Sequence, residues 1–246
     1  MHDIELIQCP RSRVCGPGGG IRVLVWNVNS KSRSTVLLER IRDFDADIML
    51  FQEMNADRSL RKHINKMGYG GAFVDCERYN WPPECMGSAV FSRFPFRETR
   101  FVELRRGRMP VAGKMPRRCY LEVEIAIEDD RTLTVGTAHL SPFGAFARRR
   151  EHDLLVREVT KHRANFLFGG DLNVSPRSRL VRALNEDFQH LGPPLSEPSW
   201  PSSAFQKIFA RRLDYAFGTP DVHVVDAHMV DGRPSDHRAI MLSVAL

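Results

Sequence analysis

The chain has 246 residues, 42% hydrophobic and 27% charged, with a net charge of +6 and a pI near 9.3. That is an ordinary globular composition, and the length suits one large α/β domain. No apolar stretch approaches the roughly 18 residues of a membrane span, and the first residues lack the apolar core of a signal peptide, so the expected location is cytoplasmic.

Residues 1–20 carry scattered charges and the run Gly16-Pro-Gly-Gly-Gly20. They read as a flexible leader before a domain spanning 21–246. The five cysteines form no Cys-x-x-Cys pair, which argues against zinc and for free thiols. Ile21-Arg-Val-Leu-Val-Trp26 is a strand that runs into Asn27-Val-Asn29. Val36, Leu37, Ile41 and Phe44 fit one helical face, with Ser34 as its cap. Asp47-Ile-Met-Leu-Phe51 is a second strand, ending in Gln52-Glu53. Leu60, Ile64 and Met67 mark a helix that stops at Gly68. Gly87–Ser92 is a short strand. Tyr120–Ile127 alternates apolar and acidic residues, turns at Asp129-Asp130 and pairs with Thr132–Ala138 as a hairpin. Residues 145–161 read as a helix, and Ser175-Pro176 caps another through Leu180 and Leu184. Between them lies Asn165-Phe-Leu-Phe-Gly-Gly-Asp-Leu-Asn173, an apolar strand ending in two glycines and then polar groups. Gly192–Ser203 is a loop. Leu213–Phe217, Val222–Met229 and Ala239–Val244 are the final strands. The mixture of hairpins and strand–helix units argues for sheets that are not purely parallel.

Three apolar strands that each end in acid or amide groups suggest one site at the edge of a sheet core. Alternation along a strand points Asp171 and Asn173 the same way. The chemistry-bearing patterns, in order, are Asn27, Gln52-Glu53, Gly87–Arg93, Thr137-Ala-His139-Leu140, Gly170-Asp-Leu-Asn173, Arg212-Leu-Asp214-Tyr215 and Ser235-Asp-His237. Each alone is weak. In this order they resemble the endonuclease/exonuclease/phosphatase superfamily, the DNase I-like fold, over residues 21–246.

The resemblance implies a four-layer α/β/β/α sandwich of two mixed sheets flanked by helices. It implies hydrolysis of a phosphate ester with a divalent metal, Mg2+ in the first instance and Mn2+ as a substitute. A phosphodiester is an anion that repels hydroxide, so its charge must be neutralised before attack. Carried over to this sequence, Glu53 is the expected metal ligand, with Asn27 and Asp236 supporting that metal or a second one. Asp171 is expected to orient and deprotonate the water, and Asn173 to hold the phosphate or the same water. His237 would contact the non-bridging oxygens, with its other ring nitrogen bonded to Asp214. A competing expectation pairs Asp214 with Arg211 or Arg212. His139 is a second donor to the phosphate. It sets the chain apart from the branch that acts on abasic DNA, which usually has tyrosine there and glycine at the place of Ser30. It looks more like the DNase I, tyrosyl-DNA phosphodiesterase, deadenylase and sphingomyelinase branches.

The substrate expectation is nucleic acid, DNA or RNA, with an inositol phosphate or phospholipid as the alternative. Arg93, Arg97, Arg100, Arg105, Arg106, Arg108, Lys114, Arg117 and Arg118 form a basic cluster that reads equally as a phosphate-tracking surface or a solvated face. Arg117 and Arg118 from that cluster, Arg149 in the helix after His139, and Trp200 are the candidate substrate contacts. Trp200 would stack on a base or pack on the neighbouring prolines. Tyr69, Tyr79 and Trp81 would line a groove or serve packing.

Overall fold

The computed structural model describes residues 4–10, 20–30, 34–80, 83–105, 117–128, 130–142, 145–201 and 209–246. In chain order the elements are β1 (Glu5–Ile7), β2 (Ile21–Asn27), α1 (Ser34–Phe44), β3 (Ile48–Asn55), α2 (Arg58–Lys66), β4 (Gly70–Asn80), β5 (Pro83–Ser92), β6 (Phe96–Arg105), β7 (Arg118–Ala126), β8 (Thr132–His139), α3 (Ala145–Val159), β9 (Phe166–Asp171), α4 (Arg179–Asp187), β10 (Gln189–His190), β11 (Asp214–Gly218), β12 (His223–Val230) and β13 (Ala239–Ala245). One sheet has the order β1-β4-β5-β3-β2-β13-β12, the other β10-β11-β9-β8-β7-β6. Each sheet holds one parallel pair, β2 with β3 and β8 with β9, bridged by α1 and α3 respectively.

Burial on both faces explains why the strands read as near-continuous apolar runs. Along β2, Ile21, Val23 and Val25 join the core between the sheets, while Leu24 and Trp26 pack outward with Leu37, Ile41 and Phe44 of α1. Along β9, Leu167 faces the other sheet, while Phe166 and Phe168 face Leu155, Val159, Leu180 and Leu184 of α3 and α4. The result is the expected four-layer α/β/β/α sandwich. The glycine pair of β9 is required by this packing. A Cβ on Gly169 would lie 2.7 Å from Val25 Cγ2 of the facing sheet, and one on Gly170 would lie 2.1 Å from the Ala138 carbonyl oxygen.

Several expectations change. The segment read as a loose leader contains β1, which adds to the sheet edge against β4 and is tied down by Glu5 with the buried Arg61 (2.9 Å). Cys76 and Cys119 are not free thiols. They form a disulfide that joins β4 of one sheet to β7 of the other, a tertiary pairing that cysteine spacing does not reveal. The helix after Asn173 is capped by Ser178, whose side chain accepts from Val181 N. Ser175 instead closes the preceding turn.

Three members of the arginine cluster are engaged within the fold. Arg93 pairs with Asp45 and lies over the Tyr69 ring. Arg100 binds Glu122 through two nitrogens and reaches Glu158 of α3. Arg118 is buried. On the edge strand β6, Arg100 is neutralised by Glu122 of β7 and Glu158 of α3. Arg106, Arg108, Lys114, Trp81 and Cys15, and the side chains of Tyr79 and Arg105, lie outside the described residues. Tyr69 is a packing residue: it is fully buried, and its hydroxyl donates to the Ala46 carbonyl at 2.7 Å.

Candidate active site

Strand register assembles the site. In the second sheet, Asp171 at the end of β9 is paired with His139 of β8 on one side and Asp214 of β11 on the other. In the first sheet, Asn27 ends β2 beside Gln52 of β3. A bulge in β3 between Phe51 and Met54 breaks the pairing with β5, and Glu53 within it adopts a left-handed backbone with φ 52°. For glutamate this conformation costs about 1–3 kcal/mol, and bulges commonly re-aim side chains beside active sites. Asn29 (φ 50°) and Asn173 (φ 51°) make the same left-handed turn just after β2 and β9.

At the site the Asn27 amide bridges the two sheets. Asn27 Nδ2 donates to Glu53 Oε1 and to Asp171 Oδ2, each at 3.1 Å. Asp171 Oδ1 accepts from the Asn173 backbone N–H at 3.0 Å. The Asn173 side chain donates to the Leu140 carbonyl at 2.9 Å, which ties it to the end of β8. Beneath the site, Gln52 Nε2 donates to Thr137 Oγ1 across the sheets at 2.8 Å. The loop before β13 is fixed by Ser235, whose hydroxyl donates to the Asn27 carbonyl (2.7 Å) and accepts from His237 N–H (3.1 Å).

His237 Nδ1 lies 2.9 Å from Asp214 Oδ2, so the histidine pairing holds and the arginine alternative does not. Arg212 spends its guanidinium on the carbonyls of Pro193, Pro194, Glu197 and Asp214. Arg211 is exposed. His237 Nε2 stands 3.8 Å from Asp171 Oδ2. His139 Nε2 stands 3.6 Å from the same oxygen and 3.7 Å from Glu53 Oε1. Two ring nitrogens, one from the end of β8 and one from the loop before β13, therefore converge on one buried carboxylate.

The electrostatics separate a base from an acid. Burial pushes Asp171 up to about 6, reinforced by the adjacent Asp214 and opposed by His237, His139 and Asn27. A carboxylate in that range is suited to accept a proton near neutral pH. Burial alone would lower His237. The Asp214 carboxylate, helped by Asp171 and Asp236, outweighs it and raises the imidazole to about 10, so the ring is a standing cation. Asp236 lies below its ordinary value: burial opposes this, but His237, the Trp200 indole and Asn29 prevail.

His139 is set up differently. Arg118 Nη1 lies 2.9 Å from His139 Nδ1. A guanidinium can only donate, so Nδ1 is the acceptor and the ring proton sits on Nε2, facing Asp171 and Glu53. Arg118 Nε in turn reaches Ser141 Oγ (3.4 Å), whose hydroxyl donates to Glu151 of α3 at 2.7 Å. Arg118 is therefore a buried support for His139, where the sequence suggested a substrate contact. Ser141 and Glu151 went unnoticed in the sequence because their ten-residue spacing crosses from a loop into a helix and matches no periodicity.

The remaining predicted residues lie around the rim. Asp236 accepts from Asn29 Nδ2 (2.8 Å) and from Trp200 Nε1 (3.0 Å), so Trp200 holds the Asp236 carboxylate. Arg149 is exposed on α3. Arg117 is 43% exposed at its side chain and 3.9 Å from Glu103.

The donor set suits a hard divalent cation. Glu53 of the first sheet, Asp171 and Asp214 of the second and Asp236 of the loop before β13 supply carboxylate oxygens. Asp214 Oδ1 is buried with no hydrogen-bond partner among the described residues. Asp171, Asp214 and His237 offer ligand atoms all within 4.8 Å of one another. Glu53, 25% exposed at its side chain, accepts the Asn27 amide at Oε1. Asn27 bridges Glu53 and Asp171 through its amide nitrogen, so its oxygen would face a cation only after the amide turns over.

Several solved structures share this fold. An endonuclease/exonuclease/phosphatase from Beutenbergia cavernae superposes with a TM-score of 0.76 at 21% identity, covering 93% of this chain and 72% of that one. D. rerio TDP2 in complex with a single-strand DNA product gives 0.68 at 15%, covering 92% and 99%. The mannosyl-6-phosphatase Bt3783 of Bacteroides thetaiotaomicron gives 0.69 at 16%, covering 92% and 100%. No functionally curated protein matches the sequence. The sequence model of the endonuclease/exonuclease/phosphatase family matches residues 24–237, from β2 to His237, and so takes in every catalytic candidate above. The chain belongs to the endonuclease/exonuclease/phosphatase family.

Proposed function

We propose that the protein is a metal-dependent phosphodiesterase that hydrolyses nucleic-acid phosphodiester bonds. The observation that carries this reading is the convergence of His139 Nε2 and His237 Nε2 on Asp171. Asp171 takes the proton of a water that attacks phosphorus. The His237 imidazolium, fixed by Asp214, binds the non-bridging oxygens as charge builds on them. His139 adds an N–H from the opposite side, with its tautomer set by Arg118. Asn173 steadies the phosphate beside Asp171. Glu53, with Asp236 and Asn27 in support, would hold Mg2+ or Mn2+, which neutralises phosphoryl charge and stabilises the leaving oxygen.

The net charge of +6 and the neighbour that holds a DNA product favour nucleic acid. The mannosyl-6-phosphatase neighbour supports the second reading, a small phosphate ester such as a phosphorylated inositol or sugar. An activity panel decides: single-stranded DNA, RNA, phosphorylated inositols and sugar phosphates, each with Mg2+ and Mn2+. Asp171→Asn serves as the inactive control. Strand cleavage abolished in the control supports the proposal. Turnover of the small phosphates alone overturns it.

A further inference from the structure

A cavity of about 1040 Å³ opens beside the site, between α3, α4 and the segment that leads into β11. It begins at the catalytic rim, because Asn173 lies on its wall while the Asn173 N–H holds Asp171. Besides Arg212, which is held by backbone carbonyls, four arginines reach it from three parts of the chain: Arg148 and Arg149 from α3, Arg179 from the first turn of α4, and Arg211 from the approach to β11. Among the described residues none of the four pairs with a carboxylate; Arg148 has only the Pro142 carbonyl at 3.4 Å. Arg93 and Arg100, by contrast, are fully engaged with acids. Asp153 is the one carboxylate among the described lining residues. Uncompensated guanidinium groups around a common hollow repel one another, and a phosphate relieves that repulsion through two-pronged hydrogen bonds.

The hollow is not suited to a bare anion. Val156, Leu180, Ala183 and Leu195 give it an apolar wall. His152 also lines it, and its Nε2 is buried with no hydrogen-bond partner among the described residues. Such a space asks for a flat apolar body with a polar edge and a phosphate attached. Its volume sits at the upper end of the roughly 300–1,000 Å³ typical of small-molecule pockets, more than one sugar phosphate needs.

We infer that this cavity is a subsite for the nucleotide adjoining the scissile phosphate, with its base on the apolar wall and its phosphate on Arg179 and Arg211. The inference rests on the proposed nucleic-acid reading and adds a location and a chemistry to it.

The test compares wild type with the double variant Arg179→Ala/Arg211→Ala on two diesters. One is a single-stranded oligonucleotide. The other is bis(p-nitrophenyl) phosphate, which has no flanking phosphate. Each lost charge-assisted contact is worth roughly threefold to tenfold, so kcat/KM on the oligonucleotide should fall roughly tenfold to a hundredfold, through KM, with the small diester within about twofold. A parallel loss on both substrates, or no loss on either, overturns the subsite. A loss confined to phosphorylated inositols leaves a phosphate site but overturns the nucleotide assignment. Fluorescence anisotropy of a labelled oligonucleotide on Asp171→Asn, with and without the two arginines, reads the subsite without turnover. Should the wild type cleave no nucleic acid, the catalytic proposal fails by itself. Loss of oligonucleotide binding with the arginines would then still uphold the subsite, and unchanged binding would overturn it.

Discussion

Replacing Glu122 by glutamine should remove a pH-dependent part of the stability. Glu122 is 6% exposed on β7 and accepts from Arg100 Nε (2.5 Å), Arg100 Nη2 (2.9 Å) and the Tyr120 hydroxyl (2.5 Å), with His162 Nε2 at 2.8 Å. Burial alone would raise its carboxyl, but His162, Arg100 and Tyr120 together bring it down from 4.5 to about 2. Because the folded value lies below the unfolded one, the stabilisation is complete above the unfolded value and is lost as pH falls through the folded value. That interval corresponds to about 3 kcal/mol at pH 7 and about 1 kcal/mol at pH 3. Urea unfolding of both proteins at these two pH values measures it. The gap between wild type and Glu122→Gln should shrink by about 2 kcal/mol on going from pH 7 to pH 3. An equal gap at both would refute the claim that the ionised carboxylate holds this network. The network matters beyond stability, because Arg100 also grips Glu158 and so seats α3, the helix that carries Glu151, Arg148 and Arg149.

Other outcomes follow from the same geometry. Asp214→Asn should leave the fold intact by circular dichroism but lower kcat by about 10²–10⁴-fold, since His237 loses its charge partner; unchanged turnover would remove His237 from the mechanism. Arg118→Met should lower kcat by at least about tenfold with little change in KM, because His139 loses the bond that sets its tautomer, and an effect on KM alone would contradict this. Gly170→Ala should destabilise the protein by about 2–3 kcal/mol or more, read as a lower Tm, because its Cβ meets the Ala138 carbonyl. Chelation should abolish activity and Mg2+ restore it, and Glu53→Gln should raise the metal concentration needed for half-maximal rate; a rate indifferent to chelator would exclude the metal role.

The sheet strands and the polar groups at their ends were legible because each apolar run stops abruptly at a carboxylate or amide. Asn27, Glu53 and Asp171 stand at such ends, and the antiparallel β11 and β13 bring Asp214 and His237 to the same edge from their starts. What stayed hidden depends on partners distant in the chain. β6 reads as a basic cluster until its register against β7 supplies Glu122 as the counterion of Arg100. β1 is three residues long and has no period to detect; only its pairing with β4 makes it a strand. Cys76 and Cys119 lie 43 residues apart with nothing in the intervening sequence to pair them. Arg118 was noticed for its charge, but its burial turned it from a ligand contact into the support of a histidine.

The amide of Asn27, hydrogen-bonded to Glu53 of its own sheet and to Asp171 of the other, works as a clasp across a seam. Neither half of the sandwich owns the complete candidate site: one carries Glu53, the other Asp171. The proposed catalysis would therefore be a coincidence signal for the docking of two separately hydrogen-bonded sheets. A fragment confined to one of them should lack the proposed hydrolysis, and its rate in the whole chain should report how tightly Val25 and Gly169 are kept in contact.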